Sequence, residues 1–252
     1  WVSKECDYNC PREIKFRRSV DGGNTWDPLL DQPGRILNKS VVGGHSMAAS
    51  DSNVYIAWIG EGVFFRRSHD YGATFEPEQI FALEGSSTEL ASSGDHVYMA
   101  ATDYFDYFNN YNTEIVFRSS PDRGVSWNPP LTDPPINISR TPAQSDLPHL
   151  NIGSNNLNLF WADSASNVNF DPFNIMYRHS TDNGLTWDKP LEEPALNLSA
   201  RISDYSPPHI VVSGQDIAVA WNDQQYVGTV PAPSEILFRY SKDGGISWDP
   251  PL

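Results

Sequence analysis

The sequence contains no run of about 18 apolar residues, so it lacks the segment that a membrane-spanning helix needs. Positive charge is also scarce: 17 lysines and arginines stand against 32 aspartates and glutamates, for a net charge of −15. Such a surface would repel a polyphosphate chain, so we expect no nucleic-acid partner. The acidic excess is compatible with secretion, with bound Ca²⁺ or with solubility alone, and it assigns no cofactor.

Cysteine is scarce as well, with Cys6 and Cys10 in one short segment. In an exported protein this spacing fits a local disulfide across three intervening residues. Half of a metal site is the alternative, but no nearby histidine or second cysteine pair completes it. We therefore assign no metal site and keep Cys6 and Cys10 as a candidate disulfide.

Turn-forming and aromatic residues are abundant: 20 prolines, 17 glycines, 8 tryptophans, 11 tyrosines and 12 phenylalanines. One pattern, Ser-x-Asp-x-Gly-x-x-aromatic, occurs five times at identical internal offsets. The copies run from Ser19 to Trp26, Ser68 to Phe75, Ser120 to Trp127, Ser180 to Trp187 and Ser241 to Trp248. Their aspartates are 49, 52, 60 and 61 residues apart. This spacing suits a supersecondary unit of about four strands.

The residues around each copy repeat too. An aromatic residue followed by an arginine precedes each one, and a second apolar run lies further upstream. The segments 14–16, 115–117 and 236–238 are rich in β-branched and aromatic residues, which predicts short strands. Within each copy, aspartate can accept backbone N–H bonds and glycine permits a positive φ, so the copy itself predicts a turn. A single sheet cannot bury both of its faces, so neighbouring units must stack.

The five copies resemble Asp boxes, the bacterial neuraminidase repeats found in sialidases and in many other propellers. The sequence is also similar to exported sialidase-like repeat proteins of archaea and bacteria. This resemblance implies that each box lies between the third and fourth strands of a blade, on the face away from an active site.

We therefore expect one all-β domain over residues 1–252: a β-propeller of four-stranded antiparallel blades with Asp-box turns. At least five blades are expected, over residues 1–39, 40–84, 85–139, 140–199 and 200–252. The first blade is expected to be incomplete, because Trp1 matches the last residue of a second strand. Residues outside this stretch, or another chain, are expected to supply the missing strand within a larger exported array or assembly.

Side chains that recur in every blade cannot all face one axial site. Five arginines recur, and we expect each to pair with an acidic group of its own or the next blade: Arg17, Arg66, Arg118, Arg178 and Arg239. The five box aspartates are likewise interpreted as structural: Asp21, Asp70, Asp122, Asp182 and Asp243. Residues of a functional site should break the repeat.

Two departures from the repeat provide candidate ligand-binding residues. The first is an aromatic loop at 103–111, where Tyr104 and Tyr107 could stack on sugar faces while neighbouring Asp and Asn side chains bind hydroxyls. The alternative is that these rings cover the propeller or meet a neighbouring subunit. Functional loops commonly sit on rigid scaffolds such as this one.

The second departure lies in two blade-to-blade connections. Arg140 is followed by Asp146 and His149, and Arg201 is followed in the same way by Asp204 and His209. The candidate residues here are Arg140, Arg201, His149 and His209. Near the axis they would form a polar, titratable pocket, because histidine changes charge near neutral pH. A partial consensus explains the same pattern without a ligand.

Three Asn-x-Ser sequons begin at Asn38, Asn137 and Asn197, at equivalent positions of the repeat. In an exported chain these asparagines are candidate glycosylation sites. The alternative is that Asn and Ser cap a turn at the end of a strand, which explains the periodic spacing.

Two functions are compatible with the sequence: that of a non-catalytic module and that of a sialidase-type hydrolase. The resemblance implies that sialidase activity needs three arginines, a Tyr–Glu nucleophile pair, an acidic proton donor and a Phe/Tyr-Arg-Ile-Pro motif. Here Phe-Arg or Tyr-Arg occurs only within the repeat and is never followed by Ile-Pro, so no catalytic residue is assigned. We therefore expect a non-catalytic module, extracellular or at the cell surface, that either binds glycan or extracellular protein or serves as a structural module of the cell surface. Self-assembly, or strand pairing with a neighbouring chain, is the further partner that this interpretation allows. An exo-sialidase-type glycoside hydrolase is the alternative.

Overall fold

The computed structural model describes residues 2–3, 12–41, 43–81, 85–106, 112–142, 144–153, 156–164, 173–199, 208–223, 226–227, 230–231 and 235–250. These residues form strands and turns. No helix among them is long and apolar enough to cross a membrane.

The described strands form five successive antiparallel sheets and one small hairpin. The first sheet contains β1 (Val2–Ser3), β2 (Arg12–Phe16) and β3 (Arg35–Val41). The second contains β4 (His45–Ser50), β5 (Asn53–Ile59), β6 (Val63–Ser68) and β7 (Gln79–Phe81). The third contains β8 (Thr88–Ser93), β9 (His96–Asp106), β10 (Asn112–Ser120) and β11 (Ile136–Asn137).

The fourth sheet contains β12 (Ser145–Ile152), β13 (Leu157–Ser164), β14 (Phe173–Ser180) and β15 (Leu196–Asn197). The fifth begins with β16 (His209–Ser213) and β17 (Asp216–Asp223). A hairpin of β18 (Tyr226–Val227) and β19 (Val230–Pro231) follows, and β20 (Glu235–Ser241) completes the sheet. The predicted all-β architecture of four-stranded antiparallel sheets is confirmed. Within the described residues, the first and fifth sheets have three strands each.

A hydrophobic core fills each of the four junctions between consecutive sheets. Alternation along a strand sends successive side chains to opposite faces. In β10, Ile115 and Phe117 therefore pack toward the fourth sheet, whereas Val116 packs toward the second. The central strands consequently bury both faces, which explains why they are apolar almost throughout.

In the second, third and fourth sheets the Asp box forms the turn between the third and fourth strands, and in the first and fifth sheets it follows the equivalent strands, β2 and β20. In the first box, the Asp21 carboxylate accepts hydrogen bonds from the Thr25 hydroxyl at 2.6 Å and the Thr25 backbone N–H at 2.9 Å. These bonds, with another from the Ser19 hydroxyl, lower the pKa of Asp21 to about 2. Gly23 adopts a φ of +90°, a conformation that favours glycine.

The box also joins neighbouring sheets. In the fourth box, the ring of Trp187 meets the ring of Phe117 from the third sheet edge to face, with centroids 5.1 Å apart. The same contact recurs at the other three junctions: Phe16 with Phe75, Phe65 with Trp127, and Tyr177 with Trp248. Edge-to-face contact is a favoured geometry for aromatic pairs.

In the second, third and fourth sheets, the repeated arginine contacts the segment that follows the box. Arg118 donates to the backbone carbonyls of Pro129, Pro130 and Asp133, and Arg178 donates to those of Lys189 and Glu193. Arg66 alone among these three has an ion-pair contact with an acid, Glu78, at 3.7 Å. Backbone carbonyls therefore replace the expected acidic partner in two blades, because the guanidinium fork can satisfy several carbonyls of one loop at once.

Candidate functional site

The Asp boxes lie at one edge of the sheets, and the connections between sheets lie at the opposite edge. The box face consists of the five turns 19–26, 68–75, 120–127, 180–187 and 241–248. On the opposite face, second strands end and each fourth strand leads to the next sheet, because neighbouring strands are antiparallel. The box side chains form hydrogen bonds within their own turns. Functional residues that differ from blade to blade are therefore expected on the opposite face.

One connection on the opposite face, residues 138–149 without the undescribed residue 143, leads from the third sheet into the fourth and includes the start of β12. Its backbone has positive φ at two non-glycine residues, +46° at Arg140 and +56° at Leu147. The pairing of β12 with β13 is also irregular between Asp146 and His149. Sparsely populated backbone conformations of this kind cluster at functional sites.

Asp146 fastens this connection to the preceding sheet. One oxygen of its carboxylate accepts hydrogen bonds from the hydroxyls of Thr102 at 2.7 Å, Ser87 at 3.2 Å and Ser86 at 3.3 Å. The Leu147 backbone N–H donates to the same oxygen at 2.8 Å. Asp146 thus fixes the position of the connection against the third sheet.

Glu114, at the start of β10, lies buried beneath the connection. Its carboxylate accepts hydrogen bonds from the Ser139 hydroxyl, from the Thr141 backbone N–H at 3.4 Å and from the Asn112 side-chain amide at 3.2 Å. Burial raises the pKa of Glu114, although these hydrogen bonds oppose the rise. The side chain is therefore easier to protonate than an exposed glutamate.

Asp163, near the end of β13, is the second buried carboxyl group and is only 7% exposed. It accepts hydrogen bonds from the hydroxyls of Thr141 at 3.0 Å and Ser145 at 3.1 Å. Burial raises the pKa of Asp163 to about 6, with a smaller contribution from the charge of Glu114. Thr141 bridges the two carboxyl groups, and Asp163 can exchange a proton in mildly acidic solution.

The two predicted histidines are close enough to interact electrostatically. Burial lowers the pKa of His149, and the neighbouring His209 lowers it further. His209 itself is exposed. Both lie on the first strands of their sheets, β12 and β16, and the titratable pocket that they were expected to form stays a prediction.

Arg140 has a different partner. Its guanidinium binds the Glu192 carboxylate at 2.7 Å, and its backbone N–H donates to the Asn137 side chain at 3.0 Å. Among the described residues, no hydrogen bond or ion pair joins Arg140 to either histidine. Arg201, its predicted counterpart, lies outside the described residues, as does Asp204.

The strand that leads into the aromatic segment is longer than the sequence suggested. Residues 103–106 continue β9 instead of forming a loop, with Tyr104 opposite Thr113 and an irregularity between Asn112 and Thr113. Cross-strand pairing with β10 extends the strand beyond the turn expected from Asp and Asn. Tyr104 is partly exposed at this edge, whereas Tyr107 lies outside the described residues.

Two of the sequon asparagines, Asn38 and Asn197, form the following side-chain hydrogen bonds. The Asn197 side chain accepts hydrogen bonds from the Ser199 backbone N–H at 3.0 Å and from its hydroxyl at 2.9 Å. The Asn38 amide donates to Glu78 at 3.3 Å. Cys6 and Cys10 lie outside the described residues. Within the described part of the chain, no group of three or more His, Cys, Asp or Glu side chains is placed to hold a metal ion.

Glu114 and Asp163 were not selected from the sequence. Glu13 and Glu235 occupy the position of Glu114 in other repeats, and Asp103 and Asp223 occupy that of Asp163. Both residues therefore follow the repeat, and a search for departures from it passes over them. The signal that could have found them is the polar group Ser139, Thr141 and Ser145 that lies between them in sequence.

The BNR/Asp-box repeat family matches residues 239–250, which cover the fifth box. A search of curated proteins by sequence finds no significant match. The chain thus carries a BNR/Asp-box repeat, and its all-β fold is of the β-propeller type.

Solved structures with the same fold include three enzymes. An α-L-arabinanase of Penicillium chrysogenum, complexed with arabinobiose, is 12% identical with a TM-score of 0.50 over 81% of this chain and 65% of that one. The α-L-arabinofuranosidase of Fusarium graminearum, also with arabinobiose, is 14% identical with a TM-score of 0.50 over 79% and 62%. A Trypanosoma rangeli sialidase, complexed with the inhibitor DANA, is 14% identical with a TM-score of 0.51 over 87% and 39%. The chain thus spans less than two thirds of each of these proteins.

Proposed function

We propose that this chain is a non-catalytic, extracellular or cell-surface propeller that binds glycans on the face opposite the Asp boxes. The observation that carries the proposal is the concentration of polar groups at the connection 138–149 and at the adjoining end of β9. Carboxylates and imidazoles can bind sugar hydroxyls there, and the ring of Tyr104 can cover an apolar sugar face.

The comparisons support a role connected with glycans. Two of the structures that share this fold were solved with arabinobiose, and a third is a sialidase with a bound inhibitor. The sequon asparagines and the candidate disulfide between Cys6 and Cys10 fit an exported protein. An extracellular protein partner is the other ligand class that this surface could take.

A glycan array followed by calorimetry on the retained oligosaccharide tests the proposal. We expect Tyr104→Asn and His149→Ala each to weaken binding at least about tenfold, which corresponds to about 1.4 kcal/mol. The matched control is Tyr71→Asn, which removes an exposed tyrosine from the box face. Unchanged binding in both site variants, or an equal loss in the control, would contradict the proposed location.

Glycoside hydrolysis is the second candidate, and one observation favours it. Asp163, with its pKa near 6, is a carboxyl group suited to donate a proton, and Glu114 lies close enough to influence it. Release of a fluorogenic aglycone from sialosides and arabinosides would detect such activity. If the wild type shows turnover, and if Asp163→Asn, Arg140→Ala or Arg201→Ala abolishes it, the function would be hydrolysis and not binding alone.

A further inference from the structure

Two buried carboxyl groups share one residue of the connection between the third and fourth sheets. Thr141 donates its backbone N–H to the Glu114 carboxylate at 3.4 Å and its hydroxyl to the Asp163 carboxylate at 3.0 Å. Both carboxyl groups are more than nine-tenths buried. Among the described residues, no lysine, arginine or histidine forms an ion pair with either of them. Burying two anions without a cation is costly, so this arrangement favours a protonated carboxyl group.

This carboxyl pair departs from the repeat. Glu114 lies four residues before the repeated arginine, and Asp163 lies two residues after Trp161 at the strand end. The same two positions recur at the other three junctions, where one member of each pair is uncharged: Glu13 with Gly60, Gly62 with Asp103, and Asn174 with Asp223. The repeat therefore does not require two carboxyl groups at one junction.

The charge that acts on Asp163 is that of Glu114. Together with burial, it raises the pKa of Asp163 to about 6, although the hydroxyls of Thr141 and Ser145 favour the carboxylate. The residue opposite Asp163 on β14 is the uncharged Asn174. Other titratable side chains of the surrounding elements interact elsewhere: Arg140 with Glu192, Asp146 with hydroxyls of the third sheet, His149 with His209, and Arg178 and His179 at the box end of β14. Ionisation of Asp163 thus adds a second negative charge without a cation to offset it.

The backbone that covers the two carboxyl groups is itself strained. Arg140 and Leu147 have φ values of +46° and +56°, and they flank the residues that contact Asp163, Thr141 and Ser145. Non-glycine residues keep such conformations only where surrounding contacts hold them. A change that favours solvation of the carboxyl groups therefore also allows this backbone to relax.

We propose that the connection, in its described residues 138–142 and 144–149, is a pH-sensitive cover that stays closed over Glu114 and Asp163 while Asp163 is protonated and opens when Asp163 is ionised. In the open state, water solvates both carboxylates, and the segment that carries Asp146 and His149 leaves the conformation described above. The candidate ligand site on this face is then assembled in mildly acidic solution and loosened at higher pH. This last consequence rests on the proposed function, whereas the opening itself requires no ligand.

The direction of the pH dependence follows from proton linkage. The pKa of Asp163 is raised in the closed state above its ordinary value of 3.8, which an opened, solvated carboxyl group would regain. The closed state therefore binds the proton more tightly than the open state does. Opening should increase as the pH rises from about 4 to about 6 and should level off above that.

Hydrogen exchange of single backbone amides, followed by NMR from about pH 4 to about pH 7.5 and divided by the intrinsic rate at each pH, tests the opening without a ligand. The reporters are amides whose hydrogen bonds join the connection to β10 and β13: Thr141 to Glu114, Ile115 to Ser139, and Ser164 to Gln144. The reference amides lie at the box ends of the third and fourth sheets: Asn128 and Asp188.

Asp163→Asn preserves the size of the side chain and cannot ionise. Its matched control is Asp95→Asn, because the Asp95 side chain is 69% exposed. At about pH 7.5 we expect the reporters to exchange at least about tenfold faster in the wild type and in Asp95→Asn than in Asp163→Asn. Near pH 4 this difference should shrink to within about threefold, because the closed state is then protonated and the open state about half protonated.

Glu114→Gln is the second variant, and it decides the matter if Asp163→Asn does not fold. It removes the neighbouring charge, so its reporters should exchange more slowly than those of the wild type at about pH 7.5. If neither variant folds, the wild-type series suffices: protection of the reporters should fall at least about tenfold relative to the reference amides between about pH 4 and about pH 7.5.

Equal reporter exchange in the wild type and the folded variants at about pH 7.5 would overturn the proposal. An acceleration of the reference amides by the same factor would overturn it as well, because the whole fold and not the connection would then be opening. A pH-dependent opening in a protein that retains no glycan would contradict the proposed function alone and leave this inference standing.

Discussion

Trp187 in the fourth Asp box and Phe117 on β10 meet edge to face, with ring planes 87° apart and centroids separated by 5.1 Å. The two residues belong to different sheets, and the glycine of the same box lies against the same ring. The box is therefore both a turn within one sheet and a contact with the preceding sheet. This double role explains why serine, aspartate, glycine and the aromatic residue recur together.

Gly184→Ala should destabilise the protein more than Gly94→Ala. Both glycines have positive φ, +82° and +56°, so alanine is strained at either position. A Cβ at Gly184 would also lie 2.5 Å from the Phe117 ring, whereas one at Gly94 meets nothing within 4 Å. We expect overpacking to add about 1–3 kcal/mol to the loss at Gly184, measured by denaturant unfolding. Equal losses would show that the ring contact contributes nothing.

Arg178→Ala should destabilise the fold, whereas Arg140→Ala should have little effect. Arg178 is fully buried and its guanidinium satisfies carbonyls of the segment after the fourth box. We expect a loss of about 3 kcal/mol when those bonds are removed. Arg140 forms an exposed ion pair with Glu192, which is worth less than about 1 kcal/mol. Thermal unfolding of both variants measures the difference, and a larger loss in Arg140→Ala would refute this assignment of roles.

Stability should fall in acid because of the box aspartates. The pKa of Asp21 and that of Asp243 are each lowered to about 2 by hydrogen bonds from the threonine or serine four residues on. A depressed pKa in the folded state contributes stability that is complete above the unfolded pKa of about 4 and is lost as the pH falls toward 2. Urea unfolding between pH 5 and pH 2 measures this slope. Asp243→Asn should make it shallower, and the wild-type slope in that variant would contradict the prediction.

Asp163 should give the opposite dependence at higher pH. Its pKa is raised to about 6, so the folded state holds the proton more tightly than the unfolded state does. Stability then falls as the pH rises from about 4 to 6 and stays low above that, by about 3 kcal/mol at most. We expect Asp163→Asn to be more stable than the wild type at pH 7, with the two converging near pH 4. Carbon NMR of the Asp163 carboxyl group should report the same titration midpoint, and a midpoint near 4 would rule out the buried-acid interpretation.

The sequence was sufficient to predict the sheets because local chemistry repeats with them. Asp122, Gly124 and Trp127 specify a turn and its anchor through contacts close along the chain, and their recurrence shows where each third strand ends. The same reasoning failed for residues 103–106. There, Asp and Asn suggested a loop, but pairing with β10 provides hydrogen bonds that hold the backbone extended.

The candidate site depended on contacts between separate sheets. Local patterns placed Arg140, Asp146 and His149 on one connection, and the amino-acid types alone indicated polar and titratable chemistry there. Only the tertiary structure brought Glu114 and Asp163 to either side of Thr141 and turned Arg140 toward Glu192. Turn chemistry acts over a few residues and can be identified in the sequence. Burial and long-range pairing, which set the proton affinity of Asp163, arise only when distant segments pack together.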